Sequence, residues 1–66
     1  MDSIILTKSQ QQILEVLQDE YMYCGDIAFK LNKNKLSIGK SLKALIKKEV
    51  VGVYYPKNDN PKYFII

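Results

Sequence analysis

The 66-residue chain has no histidine, no arginine and no tryptophan, and only one cysteine, two prolines and three glycines. Each absence closes off some chemistry. Without histidine there is no imidazole to act as a base or to activate the lone thiol of Cys24, which reads as a small buried apolar residue. One cysteine forms no disulfide within the chain, and it falls well short of the roughly four ligands of a zinc site. No metal and no cofactor are therefore expected. No glycine-rich phosphate loop and no carboxylate pair in a cleft stand out, so no catalytic residue is assigned and the chain is not read as an enzyme. No apolar run approaches the roughly 20 residues that cross a bilayer. The opening MDSIILTKSQ lacks the basic start and long apolar core of a signal peptide. A cytoplasmic, non-secreted protein is expected, with no membrane partner and no small-molecule ligand evident.

What the chain has in quantity is lysine, unevenly placed. Residues 1–29 carry Lys8 against Asp2, Glu15, Asp19, Glu20 and Asp26, a sum of −4. Residues 30–48 carry Lys30, Lys33, Lys35, Lys40, Lys43, Lys47 and Lys48 with no acid, a sum of +7. Lys57 and Lys62 balance Glu49 and Asp59 in the remainder. A one-sign block of this size repels itself, and it suits a polyanionic partner. The plainer alternative is that the lysines only keep a small domain soluble.

The length allows one domain, residues 1–66, and no more. Within it the apolar spacing predicts three helices and a hairpin. Thr7 and Gln10 match a capping box, and Gln10, Ile13, Leu14 and Leu17 then fall on one helical face, predicting a first helix over 7–20. Before it, Ile4-Ile5-Leu6 reads as a short strand or tucked arm. YMYCG (21–25) reads as an extended link with a residue or two of strand. A short second helix over 25–31 buries Ile27, Ala28 and Leu31, with Asp26 favourably placed in its first turn. Asn32 is a candidate C-cap, and Asn34 a candidate N-cap for a third helix over 35–48. On a wheel of about 100° per residue, Ile38, Leu42, Leu45 and Ile46 span an arc of roughly 100°, and Lys40, Lys43 and Lys47 span about 60° on the opposite side. VVGVYY and KYFII, separated by the turn formers PKNDNP, predict an antiparallel hairpin within 50–66, with a polar tip that has no obvious core contact.

This order resembles the winged helix-turn-helix family of DNA-binding domains, of the small transcriptional-regulator type. The resemblance rests on Asp26-Ile27-Ala28 with Leu31 for the second helix, and on Ser37, Ile38, Leu42 and Leu45 for the third. Glu49-Val50-Val51 stands where the family usually has Gly and two apolar residues. The implied fold class is α+β: three helices followed by a two-stranded β-hairpin wing. The implied partner is duplex DNA, with the third helix in the major groove and the wing on the backbone. Lys40, Lys43 and Lys47 point away from the apolar arc, and Gly39 lets the helix approach closely. Asn34, Lys35 and Ser37 lie near the helix start, where polar and backbone groups meet a phosphate. Lys57, Asn58, Asn60 and Lys62 at the hairpin tip reach for a neighbouring groove or backbone. Two departures stand beside this reading. The chain lacks arginine, the commonest reader of guanine, so its sequence discrimination is modest or A·T-directed. Pro61-Lys62-Tyr63 is similar to the wing of Z-form nucleic-acid binders, but Gly39 and Lys43 occupy the positions of their diagnostic Asn and Tyr. A winged helix used only for protein contact is the remaining alternative. A homodimer would form through the first helix and the Ile4–Leu6 arm.

Overall fold

The computed structural model describes residues 5–66, so Ile4 of the predicted arm lies outside the described residues. Three helices, α1 (Lys8–Leu17), α2 (Cys24–Leu31) and α3 (Lys35–Lys47), lead into the antiparallel strands β1 (Val51–Tyr54) and β2 (Lys62–Ile65). The predicted fold class and element order are those observed.

The helix ends follow from local chemistry. At α1 the capping box forms in both directions. Thr7 Oγ1 accepts from the Gln10 amide at 3.2 Å, and Gln10 Oε1 accepts from the Thr7 amide at 3.1 Å. The helix stops at Leu17, three residues short of the expected end. Gln18 turns out of the helix at φ 34°, which lets the chain reverse so that Met22 can reach the sheet. Helix α2 starts one residue early, at Cys24, behind Tyr23, whose side chain makes no capping bond. It ends at Asn32 in the left-handed conformation, with the Asn32 and Lys33 amides donating to Phe29 and Ala28 carbonyls. Asn34 then caps α3, its side chain accepting from the Leu36 amide at 2.7 Å. Helix α3 closes at Lys47. There Glu49, at φ 62°, donates its amide to Ile46, and Val50 donates to Leu45.

The core is the apolar stripe of each helix brought to one centre. Ile13 and Leu17 from α1, Ile27 and Ala28 from α2, and Ile38, Leu42 and Leu45 from α3 meet Met22 and Val51 there. The wing is fastened to this core rather than left free. Met22 in the α1–α2 link exchanges both backbone hydrogen bonds with Tyr63, at 3.0 and 2.7 Å, adding a short third rung beside β2. The expected residue or two of strand in that link is this bridge. On the outer face of the hairpin, Phe64 lies opposite Gly52, and a Cβ at Gly52 would come within 2.5 Å of the Phe64 ring. Any side chain at Gly52 would have to displace the Phe64 ring. Tyr21 stacks on the other side of Phe64, with ring centroids 4.9 Å apart.

Candidate nucleic-acid interface

Helix α3 separates its two faces as its periodicity requires. Ile38, Leu42 and Leu45 are buried, whereas Lys40, Lys43 and Lys47 are exposed. At its start Asn34, Lys35 and Ser37 are also exposed. Gly39 lies between the faces, and nothing stands within 4 Å of the place a Cβ would occupy, so this stretch of helix offers a low profile. A shallow groove runs over Lys35, Leu36, Gly39, Lys40 and Lys43 to Tyr63 of β2. A second hollow, lined by Tyr23, Cys24, Lys35, Asn60, Pro61 and Tyr63, adjoins it. Lys35 and Tyr63 line both, so one surface continues from the outer face of α3 to the base of the wing. Of the expected site residues, Lys35, Gly39, Lys40, Lys43 and Asn60 come together on this surface. Asn34 and Ser37 stand at its edge, and Lys47 lies one turn beyond Lys43. Lys57 and Asn58 are exposed in the wing tip and line neither hollow.

The basic block divides in the fold. Lys33 Nζ donates to Ser9 Oγ at 3.2 Å. Lys48 Nζ donates to the Ile5 carbonyl at 2.7 Å and to Gln10 Oε1 at 2.9 Å. These two lysines brace α1, and Lys48 gives the buried Gln10 side-chain oxygen a second donor beside the Thr7 amide.

The wing tip is not independent of the helices. The Tyr23 hydroxyl, at the head of α2, donates to Asp59 Oδ2 in the tip, and Lys62 Nζ sits 5.1 Å from the centre of the Tyr23 ring. Asp59 Oδ1 also accepts from the Asn60 amide at 2.7 Å. The bond from Tyr23 holds the Asp59 carboxyl below its ordinary range, helped by the Asn60 amide. The same bond raises the Tyr23 phenol. The tip therefore has no core contact, as expected, but it has this surface tie. Its effect is to engage the tip's one acid with Tyr23, among the cations of Lys57 and Lys62. Burial pushes the Cys24 thiol up, only partly offset by Lys35, and Sγ donates to the Lys35 carbonyl at 3.7 Å. Cys24 is half-buried and packs against the core, short of the full burial its sequence predicts.

Leu36, Tyr23 and Tyr63 line this surface, and Asp59 is tied to it, in addition to the expected residues. A signal for Leu36 existed: extending the wheel back two residues from Ile38 puts it at about 160°, inside the lysine arc. For Tyr23 and Asp59, 36 positions apart, no local pattern could supply one.

Known proteins match this arrangement. The sequence profile of the winged helix DNA-binding domain matches residues 6–66. No curated protein sequence matches the chain at a significant level. Among solved structures, the zinc-responsive MarR family member ZitR of Lactococcus lactis superposes with a TM-score of 0.88 at 25% identity, over 98% of this chain and 46% of that one. Wild-type ZitR in complex with DNA does so with a TM-score of 0.85 at 25% identity, over 98% and 46%. The adhesin competence repressor AdcR of Streptococcus pyogenes shares the fold, with a TM-score of 0.90 at 22% identity over 100% and 50%. The chain thus spans about half the length of the solved structures it matches. Three helices, the Met22–Tyr63 rung and the hairpin all fall within the profile's span, and on that agreement the chain belongs to the winged helix DNA-binding domain family.

Proposed function

We propose that the chain binds double-stranded DNA as the reading domain of a transcriptional regulator. The observation that carries this is the outer face of α3, where Lys40, Lys43 and Lys47 are exposed opposite buried Ile38, Leu42 and Leu45. A helix with that face outward fits the major groove and places its ammonium groups against phosphates. Asn34, Lys35 and Ser37 approach the backbone at the helix start. Lys57, Asn58, Asn60 and Lys62 approach it, or the adjacent groove, from the wing. The likeness to ZitR, solved in complex with DNA, supports DNA as the partner. The role is binding, not catalysis, and its place is inside the cell, where the DNA is. Residues 1–66 offer no histidine and one cysteine as soft donors, so the zinc response of ZitR is not carried over to them. A second copy associates through α1 and the arm, where Ile5 is 83% exposed. A two-fold symmetric footprint tests that arrangement.

The test of DNA binding is its salt dependence. With about four to six phosphates neutralised, log affinity falls against log salt with a slope of about −4 to −5. Lys40→Ala and Lys43→Ala each weaken binding to every sequence and make the slope shallower by about one. Lys8→Ala, on α1 and outside the block, leaves affinity within about twofold. No binding to any duplex, or an equal loss in all three variants, overturns the reading of the α3 face.

A further inference from the structure

We infer that Leu36 is a specificity-determining residue that reads the 5-methyl groups of thymine. The inference rests on the DNA-binding reading above and adds to it what is recognised. Single exposed leucines are common on protein surfaces and by themselves mean nothing. This one stands apart by its position. Leu36 is 78% exposed on the first turn of α3. It lies at about 160° on a wheel where Lys43, Lys47 and Lys40 fall at about 140°, 180° and 200°, so it is the one large apolar side chain inside the basic stripe. It lines the groove beside Lys35, Gly39, Lys40 and Lys43. Gly39, one turn on, presents no side chain, and the space around it is open. The lysines that flank Leu36 would be held by phosphates, leaving the leucine, with no charge to satisfy, to face base edges.

The remaining chemistry of the face leads to thymine. Arginine, the usual reader of guanine, does not occur in the chain. The carbonyl of the Asn34 amide, a group that could read adenine, is engaged with the Leu36 backbone amide. In the major groove the apolar feature of a base edge is the thymine 5-methyl group, and an isobutyl side chain is its complement. An A·T-directed site follows, with the preference carried by methyl burial more than by hydrogen bonds.

The test uses the whole chain and a duplex selected for tight binding from a random pool. Each thymine in the footprint is replaced singly by deoxyuridine, which removes the methyl group and leaves base pairing intact. The expected result is a loss of about 3- to 10-fold for the parent protein at one or two thymines per bound chain, as for one methyl withdrawn from an apolar contact. Leu36→Ala binds the selected duplex more weakly and shows no further loss at those same positions. Lys40→Ala, which removes a phosphate contact, keeps the full deoxyuridine penalty. Leu36→Ala folds as the parent does, because the side chain is exposed, and an unchanged melting temperature checks this. A parent protein indifferent to every replacement, or a Leu36→Ala variant that keeps the penalties, overturns the inference and leaves DNA binding intact. Absence of binding to any duplex overturns both.

Discussion

Glu49 is the residue whose replacement most directly tests the reading of the α3 terminus. It sits at φ 62°, in left-handed backbone, with its amide bonded to Ile46 and that of Val50 to Leu45. This is the doubly bonded helix end that glycine favours. A side chain with a Cβ costs about 1–2 kcal/mol in that conformation. Glycine returns about 0.4–1 kcal/mol of that by loosening the unfolded chain. Glu49 also places a negative charge just past the negative end of the α3 dipole, unfavourable by a few tenths of a kcal/mol at an exposed site. Glu49→Gly should therefore stabilise the domain by about 0.5–1 kcal/mol, raising Tm by roughly 2–8 °C in a domain of this size. The assay is a thermal melt by circular dichroism with a urea titration beside it, in which the midpoint rises and the slope stays constant. Glu49→Ala is the control that separates the two causes. It removes the charge but keeps the Cβ, and it should gain no more than a few tenths of a kcal/mol. A Glu49→Gly protein that melts at or below the parent temperature, or an alanine variant that gains as much, refutes the backbone argument.

Leu42 is buried on the inner face of α3, and Leu42→Ala should cost about 2–5 kcal/mol, much of the roughly 3–10 kcal/mol a chain of this length has in total. A urea midpoint within experimental error of the parent would place the core elsewhere. Tyr23→Phe should release the wing tip, with faster amide exchange at Asp59 and Asn60 and unchanged exchange in α3. Equal exchange in both proteins would show that the hydroxyl restrains nothing. The tie also sets a pH window. The Asp59 carboxyl titrates lower in the folded state, so its contribution is present above the ordinary carboxylate range and is lost as pH falls through its lowered folded value. The Tyr23 phenol titrates higher, so its contribution is present below about pH 10 and is lost as pH rises through its raised folded value. Protection of the tip amides, taken relative to their intrinsic exchange at each pH, should be flat between those limits and fall outside them in the parent. Tyr23→Phe removes the alkaline limit and weakens the acid one, since the Asn60 amide still bonds Asp59.

Much of this architecture was legible from local pattern. Thr7 with Gln10, Asn32 and Asn34 each announced a helix end through side-chain chemistry that acts within a few residues, and the Ile38–Leu42–Leu45 spacing announced which face of α3 is buried. The end of α1 at Leu17 has no local signal, since Gln18, Asp19 and Glu20 carry none of the residues that stop a helix. What stops the helix is the need to bring Met22 to Tyr63, a tertiary requirement. The lysine block was visible as a sum of charges, but its division was not. Lys33 and Lys48 turn to α1 because Ser9, Ile5 and Gln10 are near them in space and far from them in the chain. The same holds for the wing tip, where the link between Asp59 and Tyr23 depends on how the hairpin folds back over α2.

The rung between Met22 and Tyr63 has a consequence for the order in which the domain can form. Its partners lie 41 positions apart, and closing a loop of that length costs about 3 kcal/mol of chain entropy before any contact across it forms. The helices are local and can appear early, but a two-stranded hairpin alone is marginal in water. It becomes secure when β2 is gripped from both sides, by β1 and by Met22. During synthesis the chain can therefore hold three fluctuating helices while the last strand is still inside the ribosome. It would become a cooperative unit only after Tyr63 emerges, so folding comes late and in one step rather than helix by helix.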